Sequence, residues 1–286
     1  MRSRTRIAAA IAIAIAGIGA GAINPPPASA QPDWAPVDTA TIHPGVQTFT
    51  EGGQCTANFV FYDSTDVYIG QAAHCAGTGG STATDGCTSG SLPTGTPVTV
   101  GGATRPGTLV YSSWLTMQQH GETDPEMCQF NDFALVRLHP DDTANVNPSI
   151  PYWGGPVGVS EGGTAVGDQV FSYGNSSLRF GLTVLSPKTG LSLGTTGDGW
   201  SHNVYTATPG IPGDSGSAFL DADGNALGVL ATLQVLPVVG SNGVGDVSRE
   251  LAYANASTTL DVELALGTEP FSPSLLPIGG LPLGLG

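Results

Sequence analysis

Positive charge is scarce in this chain: eight lysines and arginines stand against 23 acidic residues in 286. Three of the eight, Arg2, Arg4 and Arg6, precede an apolar run from Ile7 to Ile23 and the small-residue sequence Ala28-Ser29-Ala30. A basic start, an apolar core and a small-residue site predict a Sec-type signal peptide over 1–30, cut after Ala30. The mature chain then carries five basic residues and a net charge of −18. Such a chain repels nucleic acid and anionic membranes, which excludes both as partners. Charged residues are only 11% of the sequence, so the acidity is diluted among Gly, Ser and Thr as on a secreted surface. It is not concentrated in a disordered acidic tail.

Other absences narrow the class further. A transmembrane anchor is the rival reading of 7–23, and Pro25-Pro26-Pro27 followed by the cleavage site speaks against it. No paired arginines point to twin-arginine export, and no cysteine near the cut points to lipidation. No later run reaches about 18 apolar residues, so the mature protein is expected to be soluble and extracellular. Neither Cys-x-x-Cys nor clustered histidines occur, so no metal is expected, and no cofactor. Four cysteines behind a secretory signal predict two disulfides.

Helical periodicity is almost missing as well. Short strand-like runs at 58–62, 67–72, 97–100, 108–113 and 133–138 are separated by Gly, Pro, Asn and Asp. A second set lies at 169–173, 181–185, 203–206, 217–220 and 226–236, with Asp221-Ala222-Asp223-Gly224 as a hairpin turn. Only 258–266 reads as a late helix. Many short strands without helical crossovers predict an all-β class, as barrels or a sandwich. Pro140, Asp141, Asp142, Pro148, Pro151 and Gly154-Gly155-Pro156 break every pattern between the two sets.

Against this background three motifs carry chemistry: Gln71-Ala72-Ala73-His74-Cys75, Asn131-Asp132-Phe133-Ala134-Leu135 and Gly213-Asp214-Ser215-Gly216-Ser217. Serine is a weak nucleophile until a base removes its proton, and the base needs an orienting partner. His74 suits the base and Asp132 the partner that fixes its tautomer and stabilises the imidazolium. Asp132 is followed by apolar residues, and a buried carboxylate needs a partner. Gly213 and Ser215 offer backbone N–H groups to an oxyanion. Singly, each motif is weak in a chain with 42 glycines. His43, His120, His139 and His202 lack any such constellation in sequence and read as structural.

The three motifs together, in the order His, Asp, Ser, resemble the trypsin/chymotrypsin-like serine proteases, particularly the secreted bacterial ones. The resemblance spans roughly residues 46–265. It implies two antiparallel six-stranded β-barrels with the site in the cleft between them. The expected organisation is an N-terminal extension over 31–45, a first barrel over 46–140 with His74 and Asp132, and a linker over 141–156. A second barrel over 157–266 holds Ser215, and a disordered Gly/Pro/Leu tail occupies 267–286. The resemblance also implies a Cys55–Cys75 bridge beside the histidine, with Cys87 and Cys128 as the other pair.

The chain departs from the family in two places. It has no Ile/Val-Val-Gly-Gly segment whose freed N-terminus would pair with Asp214, so an internal cation is needed. Arg105, Arg137, Arg179, Lys188 and Arg249 are available, and Arg179 sits where similar bacterial enzymes carry an arginine for this purpose. By position relative to Ser215, the specificity pocket is expected to have Thr208, Pro209 and Gly210 at its floor. Its walls fall at Leu230, Ala231, Thr232 and Leu233, in place of the family's Ser-Trp-Gly. No acidic floor residue supports Lys/Arg preference, and Leu230 replaces the histidine of glutamate-specific relatives. A monomeric, secreted serine endopeptidase acting on peptide or protein substrates is the expectation. A catalytically silent binding module on the same fold and an esterase are the alternatives.

Overall fold

The computed structural model describes residues 31–80 and 83–273. The signal peptide expected over 1–30, its cut after Ala30, and positions 274–286 of the tail lie outside the described residues. Seven strands form early: β1 Gln47–Thr50, β2 Gly53–Thr56, β3 Val60–Tyr62, β4 Val67–Gln71, β5 Pro97–Val100, β6 Gly107–Ser112 and β7 Ala134–Arg137. Two helices, α1 Ser113–His120 and α2 Pro125–Phe130, interrupt them between β6 and β7. Later come β8 Gln169–Tyr173, β9 Pro187–Thr196, β10 Ser201–Thr206, β11 Ala218–Leu220, β12 Ala226–Gln234 and β13 Ser241–Asp246. Helix α3 Val247–Ser257 and the short β14 Glu263–Leu264 follow.

The second set closes on itself as a six-stranded barrel, β10-β13-β12-β11-β8-β9. The first set is a curled eight-stranded sheet, β14-β3-β4-β7-β6-β5-β1-β2, where a second six-stranded barrel was expected. Its extra edge strand comes from the far end of the chain: Glu263 and Leu264 pair with Tyr62 and Phe61. The segment 258–266, expected as a helix of the second barrel, therefore belongs to the first sheet. The helix lies just before it, where the Asp246 carboxylate accepts the Arg249 N–H and caps an alanine-rich run. The expected strand at 181–185 is instead a loop with a 3-10 turn at Thr183–Leu185. Phe180 and Gly181 both adopt positive φ there, and the apolar side chains that followed point to solvent instead of a neighbouring strand.

The extension, the linker and the described start of the tail, which was expected to be disordered, are all packed. The extension 31–45 pairs with the linker: Thr41 and Ile42 donate to the Asn145 carbonyl, and Ile42 is fully buried. The linker in turn buries Trp153, whose indole N–H donates to the Ser172 carbonyl at 2.7 Å. From the tail, Phe271 packs edge-on against Phe171, with ring centroids 5.4 Å apart. One hydrophobic cluster thus runs from Phe59, Phe61 and Phe133 of the first sheet to Trp153, Phe171 and Val229 of the barrel side. The cleft lies where the two halves meet.

Candidate active site

His74 and Asp132 leave the same end of neighbouring strands. Antiparallel pairing sets Gln71 of β4 opposite Ala134 of β7, so the residue three after one and two before the other are brought together. The short 3-10 turn Ala73–Ala76 follows β4 at once, and the Ala73 N–H donates to the Asp132 carbonyl at 3.2 Å. Ser113 fixes the other side: its hydroxyl donates to the Asn131 carbonyl and accepts the Phe133 N–H. Held this way, the Asp132 carboxylate takes the His74 backbone N–H at 2.8 Å on Oδ1 and the imidazole Nδ1 at 2.6 Å on Oδ2. The imidazole side chain is 26% exposed and the carboxylate 8%. Burial lowers the imidazole pKa, but the Asp132 charge and its hydrogen bond more than offset that, leaving it above the ordinary histidine value.

Ser215 stands on a tight turn ahead of β11. Asp214 N–H donates to Ile211 O at 2.8 Å, Ser217 N–H to Asp214 O at 3.0 Å, and Gly216 N–H to Leu230 O at 2.7 Å. Gly213 and Gly216 have φ of 94° and 87°. A Cβ at Gly216 would stand 2.5 Å from the Thr56 carbonyl, which is why the turn needs glycine there. The first sheet grips this turn directly. Thr56 N–H donates to Ser215 O at 2.8 Å, while Gln54 Nε2 and Thr56 Oγ1 both donate to Gly213 O. The Pro212 carbonyl takes the Ser176 hydroxyl at 2.6 Å, and the Gly213 N–H on that same peptide, like the Ser215 N–H, has no protein acceptor among the described residues. Two adjacent free donors are what a developing oxyanion needs.

His74, Asp132 and Ser215 line one cleft of about 860 Å³. No hydrogen bond joins the His74 ring to the Ser215 hydroxyl; the ring's partner is Asp132. In unliganded sites this contact is often long and tightens only when substrate binds.

Beneath the turn, Asp214 is completely buried and meets two cations. Arg179 reaches its Oδ2 at 2.6 Å, as the resemblance implied, and Lys188 reaches the same oxygen at 3.0 Å. Ser176 and Ile211 add backbone N–H donors to the carboxylate. Desolvation alone would raise the Asp214 pKa, but Lys188 and Arg179 hold it below the usual carboxylate value. Lys188, fully buried on β9, is pulled down to about 8 by desolvation, only partly offset by Asp214. Sequence reasoning offered Lys188 as one of five candidates and did not select it. The signal was present: between Leu138 and Ser248 the chain has only these two cations.

Around the pocket the outcome is divided. Gly210, Leu230, Ala231, Thr232 and Leu233 line the cleft, but Thr208 and Pro209 do not. Their carbonyls receive Lys188 Nζ and the Arg179 guanidinium instead. Asn242 lines the cleft beside Gly210. Its amide bridges the walls, accepting Gly210 N–H at 2.8 Å and donating to Gly210 O at 3.3 Å and Thr232 O at 3.1 Å. Sequence reasoning missed it because Ser241-Asn242-Gly243 looks like a turn and is in fact a buried strand.

Both disulfides pair as the resemblance implied, Cys55–Cys75 with Cα atoms 6.1 Å apart and Cys87–Cys128 at 5.2 Å. The first ties β2 to the residue after His74. His202, read as an isolated structural histidine, has a partner after all: its Nε2 meets Asp246 Oδ2 at 3.0 Å, buried in the barrel. His202 and Asp246 do not line the cleft.

No protein-family model and no curated protein sequence matches the chain. Solved structures do. Thermobifida fusca protease A aligns over 80% of this chain and 100% of its own, at 18% identity and a TM-score of 0.50. Nocardiopsis protease (21% identity, TM-score 0.46) and Cellulomonas bogoriensis chymotrypsin (18%, 0.46) each cover 78% of this chain and 98% of their own. The order of strands, the meeting of a closed barrel with a curled sheet, and the alignment along the full length of protease A agree: this chain has the two-barrel fold of the bacterial chymotrypsin-like serine proteases.

Proposed function

We propose that the protein is a secreted serine endopeptidase, monomeric and working without metal or cofactor, that hydrolyses peptide bonds through an acyl-enzyme on Ser215. One observation carries this: a single cleft brings together a carboxylate-held imidazole, a serine on a glycine turn, and two unpaired N–H groups beside it. In this scheme the first unit (46–140) supplies base and carboxylate, and the second (157–266) supplies the nucleophile. Two disulfides, and the lack among the described residues of a helix able to cross a membrane, are consistent with an extracellular protein.

The steps follow from the placement of the groups. Ser215 Oγ attacks the scissile carbonyl as His74 Nε2 takes its proton, and Asp132 stabilises the imidazolium. The Gly213 and Ser215 N–H groups hold the oxyanion; losing one such donor typically costs about 10²–10³ in kcat. Collapse of the tetrahedral intermediate breaks the C–N bond while His74 protonates the leaving amine. Water, deprotonated by the same imidazole, then releases the acyl group. Because the imidazole must be neutral to act and its pKa is raised, kcat/KM is expected to climb with pH through a midpoint above 6.5.

Labelling of the purified mature protein with a fluorophosphonate, followed by cleavage of a peptide library, tests the proposal. Wild type should label and cleave, and Ser215→Ala should do neither while keeping its fold. Labelling with ester but no peptide hydrolysis would point to an esterase. Equal behaviour of wild type and Ser215→Ala would leave only the binding module.

A further inference from the structure

Asp132 is held at four polar points, and one of the four comes from outside its own sheet. Its carbonyl receives Ala73 N–H, and its two carboxylate oxygens receive the His74 N–H and Nδ1. Its own N–H donates at 3.1 Å to Oε1 of Glu250, which reaches across from the first turn of α3. Glu250 is fully buried, and its other oxygen, Oε2, has no hydrogen-bond partner among the described residues.

The surroundings of this carboxyl hold acids and phenols. Asp132 faces it from the segment before β7, Asp246 from the end of β13 and Tyr111 from β6, with Tyr253 beside Tyr111. Two basic side chains near the start of α3 have other partners: Arg249 lies over the Trp200 ring with its Cζ 5.7 Å from the centroid, and His202 is hydrogen-bonded to Asp246. The Gly245 backbone passes so close that a Cβ there would collide with Glu250 Oε1, leaving no room for a counter-ion on that side. A carboxylate in such a place would be a buried charge without a partner, between two others of the same sign. Burial, then the charge of Asp132, push the Glu250 carboxyl well above its usual range.

We propose that Glu250 is a positioning residue for Asp132, holding its backbone N–H as an uncharged carboxylic acid and keeping the negative charge beside His74 to a single unit. This rests on the peptidase reading of the site. A second anion behind Asp132 would tighten the grip on the imidazolium proton, which must be handed to the leaving amine. An acceptor without charge fixes Asp132 and leaves the basicity of His74 to Asp132 alone. The proton of Glu250 sits on Oε2, the oxygen that accepts nothing.

The test compares wild type, Glu250→Gln and Glu250→Ala. The amide of glutamine keeps the carbonyl acceptor and cannot ionise; alanine removes the acceptor. Glu250→Ala should lower kcat by about 10–100-fold with little change in KM, the scale of a sub-ångström misplacement. Glu250→Gln should restore kcat to within about threefold of wild type and leave the acid limb of the pH profile in place. A second readout needs no turnover. In the Ser215→Ala background, NMR titrations should show the Glu250 carboxyl un-ionised at pH 7 and the His74 midpoint unmoved by Glu250→Gln. A carboxyl that ionises in the ordinary glutamate range would overturn the proposal. So would a Glu250→Gln shift of the His74 midpoint by about one unit, or a folded Glu250→Ala protein with wild-type kcat. Wild type without any turnover would sink the peptidase reading, and the two NMR titrations would still decide the state of Glu250.

Discussion

Asp214 illustrates how much a single residue needs in order to keep the proposed nucleophile in place. A lone buried carboxylate costs several kcal/mol, and the two cations that meet it are desolvated as well. Removing Arg179 leaves Lys188 in contact, and removing Lys188 leaves Arg179, so each single deletion should cost less than the pair. Arg179→Ala combined with Lys188→Met should lose about 3–5 kcal/mol in urea unfolding, more than the two single losses added. Turnover should follow the same order, because the Gly213–Ser215 peptides sit on this carboxylate. The Lys188 ammonium adds a pH dependence. Its folded pKa of about 8 lies below the ordinary 10.5, so between those values the unfolded chain binds the extra proton. On account of this group, stability rises with pH across that window, while Asp214 loses one of its two cations. Activity should therefore fall above about pH 8 without a parallel drop in stability, and Lys188→Met should start lower and lack that fall.

At the scale of elements, the pocket proposed for the substrate is made by β12, β13 and the turn at 210–213. Leu230, Leu233 and Ile211 give it apolar surface, and every polar atom of the Asn242 amide is tied to the walls. These residues leave no group to receive a charge, and burying an unpaired one carries a desolvation penalty. On a tetrapeptide series varied only before the scissile bond, kcat/KM should favour Ala, Val, Leu or Thr. A preference for Lys, Arg or Glu would contradict the lining. Asn242→Gly, which frees the space between the walls, should shift the preference toward larger side chains.

The same elements show what could be read from the sequence and what could not. The strands carrying His74, Asp132 and Ser215 were legible, because each combines an apolar run with a motif at its end. β9 and β13 were not: both are rich in Gly, Ser and Thr, which mark turns in isolation, and only the barrel's closure turns them into strands. Helix α2 carried a readable start, since Asp124 caps it and Pro125 opens it, but six residues leave too little periodicity to notice. Glu250 and Asn242 had no local signal at all. Their roles arise from neighbours more than 30 residues away in the chain, Asp132 for one and Gly210 for the other.

For the whole molecule, the two halves are cross-linked at several levels. Thr56 and Gln54 of the first sheet hold the Ser215 turn, Glu250 of the last helix holds Asp132, and one hydrophobic cluster spans both. Intact disulfides and a shared core predict a single unfolding transition, with tertiary and secondary signals coinciding. Two separated transitions by calorimetry would show that the halves are independent. The buried Ile42 bears on activation: its N–H and carbonyl are committed to Asn145 and Asn147, so it is not available as a freed terminus for Asp214. Protein beginning at Gln31 should be active without further trimming.

The pairing of β14 with β3 has a consequence for biosynthesis. A ribosome delivers His74, Asp132 and Ser215 long before it delivers Glu263 and Leu264, yet the sheet that carries the first two is bordered by those last residues. Helix α3, which carries Glu250, also follows all three residues in the sequence. A chain still lacking these elements thus holds all three candidate residues without the frame that aligns them. In the proposed scheme the three groups come into line only after β14 and α3 have been made.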